Sequence, residues 1–467
     1  MLKKNITDFL NNEYKGYVFY VLSERALPDI RDGLKTGARK IMHAAFKGAM
    51  RDGSPKKIPN LVGETFNYSL YPHGDVALAG TIVTLSQQFK FNFYPFYIDG
   101  QNGTLRTPKT SASPRYLYVQ LSQYAQLWKT DIELVNYLED EGQIIEPDAF
   151  YPIIPMTIIN SQEGMAPGYK FSTMSYNPID VIDLCLHILS GKKDIPSDKN
   201  MNPMALWDNG ISDYKLRPFI RGINESTWKF EDGSWVNYGE YVINKSKDTV
   251  HVTALPYDAT YISFETILNK LIDKGIIKTY KDMSKDGNID YLIQFPKKRL
   301  EVETKNGDQK IINMFKLKKI MPDDLLWVLD EHGKIRHFET PQLLTEYFVN
   351  WRLKIYSERK KRLTKIMTDK YNKNCDMVRF IELVISGKLK IRNRAKADVI
   401  ADMKAVNLAS ELLETSMSKI TKDEHDKLLE ENSAIKKDLD YINNTSEKEM
   451  YVNDLKQLKK MYKKDFE

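Results

Sequence analysis

Cysteine is nearly absent from this 467-residue chain: Cys185 and Cys375 are the only two, and they lie far apart. That excludes a disulfide framework and argues against a cysteine-built zinc site, leaving two buried thiols as the expectation. Long apolar runs are missing as well. None approaches the ~18 residues needed to cross a bilayer, and the opening "MLKKNITDFL" lacks the apolar core of a signal peptide. The expectation is an intracellular protein with no membrane contact. Charge of one sign is scarce too: 69 Lys and Arg face 63 Asp and Glu, for a net +6, so nucleic acid is permitted but not demanded.

What is present is an ordered composition, 42% hydrophobic and 28% charged, in a chain too long for one hydrophobic core. "DFLNNEYKGYVFYVLSERALPDIRDG" reads as an apolar helix broken at Pro28 and Gly33. "LKTGARKIMHAAFKGAM" follows as a basic amphipathic helix, with Leu34, Ile41, Met42 and Ala45 on one side and Lys35, Arg39, Lys40 and Lys47 elsewhere. A short helix, the turn "YPHGD" and the helical "VALAGTIVTLSQQF" then give the order of a helix-turn-helix or winged-helix module. Any small helical domain yields such a string, so this order alone is weak.

Residues 145–338 change character. "FYPIIPMTIIN", "STWKFEDGSWVNYGEYVIN" and "TVHVTALPY" carry strand composition, and "PIDVIDLCLHILSG" and "FETILNKLIDKGII" are helical, which predicts an α+β domain. From 339 onward the pattern is long helices. Leu344, Phe348, Trp351 and Ile355 keep 4-3-4 spacing, as do Leu428, Asn432, Ile435, Leu439 and Ile442, so an antiparallel coiled coil with a helical knob near 386–420 is predicted. Thr421 with Glu424 forms a capping box that starts the returning helix, expected to run to Tyr462.

One stretch bears on chemistry. "SASPRYLYVQLS" places Arg115 and Tyr116 after a glycine-punctuated loop, "IDGQNGTLRTPKTSASP". The pair reads either as a packing tyrosine beside a solvated cation or as a phenolic nucleophile beside the charge that stabilises its anion.

With those parts in order, "RALPDIRDGLKTGARKIMHA" closely resembles the "RALPD-RDGLKP--RR" segment of type IIA DNA topoisomerases. "YPHGDVALAGTIVTLSQQF" resembles that family's "HPHGD" turn and recognition-type helix, "IDGQNGTLR" its "DGQGNFG" loop, "SPRYLYVQLS" its Arg-Tyr strand, and "ITKDEHDKLLEE" its returning coiled-coil helix. Five collinear matches cover nearly the whole chain. They point to the DNA breakage-reunion subunit, and the length to the medium subunit of T-even-like bacteriophage enzymes, acting in the cytoplasm of the bacterial host.

The resemblance implies a multidomain α+β fold: a winged-helix cleavage domain over 1–144, an α+β tower over 145–338, and a coiled-coil arm over 339–467 whose knob forms a dimerisation gate. It implies an ATP-hydrolysing type II topoisomerase acting on double-stranded DNA as a homodimer. Tyr116 would form a 5′-phosphotyrosine, helped by Arg115, and Tyr118 is assigned to packing. Arg25, Arg31, Lys35, Arg39 and Lys40 would bind phosphates. His73 would lie beside the scissile region or act as a structural turn partner, and Met165 in "EGMAPG" would wedge between bases.

The chain has no glycine-rich ATP motif and no acidic "EGDSA" or "D-D-D" cluster. ATP and Mg2+ are therefore expected on separate ATPase and metal-binding partner subunits. Departures from the family pattern are Tyr71 for the first histidine of "HPHGD", Lys40 for an arginine, Val76 for a serine, and altered glycine spacing in "DGQNGTLR". Two alternatives remain. A non-catalytic DNA-bending scaffold would keep the fold without needing Arg115 and Tyr116. A tyrosine recombinase would need a dispersed Arg, His and Arg set that the sequence lacks.

Overall fold

The computed structural model describes residues 5–466 apart from 49, 52, 192–215, 286, 306, 322–325, 392–393 and 415–419. Two compact units result, one made of residues 1–350 with 457–467 and the other of 351–456.

In the first unit, helical turns over residues 6–26 end where Leu27 turns extended, one residue before Pro28, as proline requires. The helices Thr36–Lys47, Ile58–Ser69 and Asp75–Leu85 then pack on one another. Leu70 ends the second helix in the left-handed region, and Gly74 caps the third. A three-stranded antiparallel sheet, ordered Lys56–Lys57, Tyr118–Leu121, Phe96–Asp99, completes the winged-helix arrangement. The 36–47 helix departs from its amphipathic expectation: Arg39, Lys40 and His43 are buried along with Ile41, Met42 and Ala45.

The "FYPIIPMTIIN" stretch also departs from its strand expectation. Its residues are buried, but they form a loop and one helical turn, Met156–Ile159. Pro152 and Pro155 lack the N–H that a central ladder needs. The hairpin Gln162–Ala166 with Tyr169–Thr173 follows, and then the helix Pro178–Ser190.

Two further sheets build the α+β region. Trp228–Glu231, Ser234–Tyr238 and Lys318–Met321 pair antiparallel. The second sheet is ordered Tyr241–Asn244, Thr249–Val252, Tyr291–Gln294, Thr279–Asp282. Its core is Val250, Phe264, Leu268, Tyr291, Ile293 and Phe315, drawn from the sheet and the helices Tyr261–Asp273 and Gln309–Phe315.

Arg106, in the "DGQNGTLR" loop, ties the winged-helix region to this one. Its guanidinium donates to the carbonyls of Leu255, Pro256 and Ala259 at 2.7, 2.6 and 2.9 Å, and burial lowers its pKa to about 10. The terminal residues close the same unit. Phe466 is buried against Phe93 and Phe219, and Tyr124 Oη donates to Asp465 at 2.7 Å.

The second unit contains most of the helix Pro341–Ile385 and the helix Lys422–Asn444. The pairs Glu382 with His425, Asn374 with Glu431 and Arg359 with Asp454 run in opposite directions along the chain, so the helices are antiparallel. Thr421 Oγ1 accepts from Glu424 N, the first half of the expected capping box, but among the described residues the Glu424 carboxylate does not bond back to Thr421 N. The returning helix is not continuous to Tyr462, however. It breaks at Thr445 and Ser446, where Ser446 and Glu449 cap a new helix, Glu447–Tyr462. Phe380, Leu389, Val399, Met403 and Leu408 form a small core in the knob; its part over 415–419 lies outside the described residues.

Candidate functional site

Pro114 starts a single 3-10 turn, Pro114–Tyr116, that presents Arg115 and Tyr116 just before the 118–121 strand. Proline suits the first position of such a turn because its fixed φ is already helical. The 58–69 helix lies against this turn, and Ile58 N donates to the Leu117 carbonyl at 3.2 Å, fixing the backbone while leaving the side chains out. Tyr116 is 66% exposed. The Arg115 guanidinium carbon sits 4.9 Å from the Tyr116 ring centroid, so the cation lies over the π face and its charge stays beside the phenol.

Strand alternation does not separate Tyr116 from Tyr118, because positions two apart share a strand face. The turn separates them. Tyr118 is the first residue of the strand, paired with Lys57 and Asp99, and the Lys57 ammonium lies 5.8 Å from its ring centroid. Tyr118 thus belongs to the ladder of the central strand, whereas Tyr116 stands before it on the turn.

Other sequence-predicted residues gather elsewhere in the same unit. Arg25, Lys35, Lys40 and His73 line a cleft of about 820 Å³, together with Tyr71, Lys90 and Glu163. Arg115, Tyr116, Arg31, Arg39 and Met165 are not among its lining residues. Arg25 is exposed. Lys35 Nζ donates to the Glu163 carbonyl at 2.6 Å, and burial lowers its pKa while the Glu163 charge opposes that shift. Lys90 is lowered in the same way. Lys90 and Glu163 were not singled out from the sequence. Lys90 carries no motif signal, whereas Glu163 stands two positions before Met165 in "EGMAPG".

Tyr71 stacks edge-on between Phe66 and His73, with ring centroids 5.9 and 5.4 Å away. Burial raises its pKa, opposed by the Arg25 charge. The phenol is therefore the packing centre of the turn that presents His73. Val76, in the first turn of the 75–85 helix, is 81% exposed.

Arg31, Arg39 and Lys40 are placed differently from an open phosphate clamp. Arg31 donates to Asp29 at 2.8 Å and to Asp148 at 2.7 Å. Arg39 Nε donates to the fully buried Asp32 at 2.7 Å. That carboxylate also accepts Leu34 N at 2.9 Å and Phe150 N at 3.1 Å. Lys40 donates to the Ser69 carbonyl at 2.6 Å and pairs with Glu146. These three cations spend their hydrogen bonds inside the protein, and they join the 29–40 segment to residues 146–150.

Met165 is 78% exposed on the first strand of the 162–173 hairpin, outside the hydrophobic core. Among the described residues, no group of three or more His, Cys, Asp or Glu is arranged to hold a metal ion, and no helix is long and apolar enough to cross a membrane.

Residues 25–460 match the family model that describes the A-type subunits of DNA gyrase/topoisomerase IV. The mitochondrial DNA topoisomerase 2 of Dictyostelium discoideum is 29% identical, over 99% of this chain and 36% of its own length. DNA topoisomerase 2 of Arabidopsis thaliana is 29% identical over 86% of this chain and 26% of its own. This chain thus spans about a third or less of those relatives. Its fold matches the crystal structure of the Plasmodium falciparum topoisomerase II DNA-binding, cleavage and re-ligation domain, with TM-score 0.81 and 22% identity, over 98% of this chain and 65% of that one.

Proposed function

The chain belongs to the family of DNA gyrase/topoisomerase IV A-type subunits, and from that premise we propose that it cuts and rejoins DNA through Tyr116, as the breakage-reunion subunit of an ATP-dependent type II topoisomerase. The observation that carries this reading is the exposed Arg115–Tyr116 pair on its fixed turn.

In the proposed step the Tyr116 Oη attacks a backbone phosphorus. The new O–P bond forms as the bond from phosphorus to the 3′-oxygen breaks. The phenolic proton passes to water, and the leaving 3′-oxygen takes one up. One phosphodiester replaces another, so the reverse step needs no energy source. A phenol of pKa ~10 is a poor nucleophile at neutral pH. Arg115 stabilises both the phenolate and the charge that builds on the phosphoryl oxygens. Arg25, Lys35 and His73 lie along the cleft where a duplex backbone would run, and Met165 is the proposed wedge. Mg2+ and ATP are proposed to come with partner subunits.

The finer assignments rest on the sequence resemblance: the medium subunit of a T-even-like phage enzyme, homodimerisation through the 386–420 knob, and domain limits at 144 and 338. The test is to trap cleaved DNA with denaturant in the presence of partner subunits and magnesium, digest the protein, and map the nucleotide-bearing peptide. Recovery on Tyr116 supports the proposal. Recovery on Tyr118, or DNA bending with no adduct at all, as a non-catalytic scaffold would give, refutes it.

A further inference from the structure

The 162–173 hairpin has one face fixed to the protein and one face free. Cross-strand partners share a face, so Gly164 goes with Phe171 and Ala166 with Tyr169, whereas Glu163 goes with Ser172 and Met165 with Lys170. The first set is anchored. Phe171 is fully buried, and Tyr169 meets Trp327 edge-on at 5.0 Å between centroids. Gly164 approaches the Ala26 carbonyl so closely that a Cβ there would lie 1.9 Å from its oxygen. Gln162 Nε2 donates to the Gly33 carbonyl, and Lys35 to the Glu163 carbonyl, which clamps the base from the side. The hairpin is therefore a rigid projection, and its open face carries Met165 and Lys170 directly opposite each other.

Lys170 is exposed, and among the described residues no carboxylate lies in salt-bridge range of its ammonium. A thioether and an ammonium about 5 Å apart at their Cβ atoms suit one ligand chemistry. The apolar chain enters between two bases, and the cation meets a phosphate of the strand whose step is opened. The geometry points to Lys170 as the backbone anchor of the wedge, a phosphate contact that positions Met165 on the duplex. The inference rests on the DNA-cleavage reading above.

The test uses the full chain and a labelled linear duplex, with affinity followed across a salt series. Lys170→Ala is expected to lower the slope of log affinity against log salt by about 0.9, the loss of one neutralised phosphate, and Lys170→Arg to restore it. Lys274, exposed at the end of the 261–273 helix, is the control, and Lys274→Ala should leave the slope unchanged. Combined with Met165→Ala, the loss from Lys170→Ala should shrink, because the phosphate is no longer delivered to the ammonium. An unchanged slope in Lys170→Ala, an equal fall in Lys274→Ala, or strict additivity with Met165→Ala would overturn the Lys170 assignment alone. A wild-type chain with no salt-dependent binding would overturn the DNA reading and this inference with it.

Discussion

Arg39→Ala separates two roles that the sequence cannot distinguish. If Arg39 grips DNA, the substitution should lower the salt slope of binding by about 0.9 and leave the free protein unharmed. The structure gives it another task. Its guanidinium holds Asp32, a fully buried carboxylate, at 2.7 and 3.2 Å. Burial pushes the Asp32 carboxyl up and the Arg39 charge pulls it down. Without Arg39 the carboxylate keeps only the Leu34 and Phe150 amides. Stranding one partner of a buried pair costs about 3–5 kcal/mol. At roughly 2–4 °C per kcal/mol for a large domain, the first unfolding transition should fall by roughly 6–20 °C. The assay is calorimetric or fluorescence-detected melting of DNA-free protein, beside a salt titration of DNA binding. Arg25→Ala, at an exposed side chain on the cleft, should do the reverse, lowering the slope with the melt unmoved. An unmoved melt for Arg39→Ala with a slope lowered by one ion would refute the reasoning.

Tyr116→Phe should abolish the covalent adduct and keep melting temperature and DNA affinity, whereas Arg115→Ala should slow cleavage about a hundredfold, near 3 kcal/mol; both are read by denaturant trapping. Gly164→Ala must open a 1.9 Å approach to the Ala26 carbonyl against backbone atoms, so it should destabilise by about 1–3 kcal/mol and reduce the DNA bend measured by fluorescence transfer. His43 is buried near the Lys40 and Lys47 charges, which, after burial, lower its pKa to about 4. The unfolded chain therefore binds the extra proton between pH ~6.5 and ~4, and the stability present above that window, on the order of 3 kcal/mol, is lost as pH falls through it. His43→Phe should flatten this part of the pH-melting profile. Deleting residues 386–418 should weaken dimerisation, which sedimentation without partner or DNA would detect.

The parts of the site that were legible in the sequence are those whose meaning is local. Pro114 starts its turn whatever surrounds it, and Arg115 precedes Tyr116 along the chain, so order alone gave the pair. The same holds for the turn 70–74, where Gly74 caps the next helix, and for Thr421 and Glu424. What order conceals is convergence. Arg31 sits 117 residues from Asp148, and the two meet at 2.7 Å. Arg39 and Lys40, on the 36–47 helix, likewise read as phosphate contacts in the sequence, and in the fold they pair with Asp32 and Glu146. Local composition misled at "FYPIIPMTIIN" for a related reason. β-branched residues suit any buried site, and two prolines withheld the ladder that would have made a strand.

The hairpin shows where the limit of sequence reading lies. Met165 stood out by its motif, but Lys170 is five residues further on, with no motif of its own. Its relation to Met165 exists only through the register, which pairs 162 with 173 and hence 165 with 170. A shift of one residue would put Lys170 on the face that Phe171 and Tyr169 occupy, against the protein. Register here is held by the glycine that lets the chain approach Ala26 and by the full burial of Phe171. The same two features that fix the hairpin thus decide which charge stands opposite Met165. A substitution at Gly164 should therefore disturb the action of Met165 and Lys170 together.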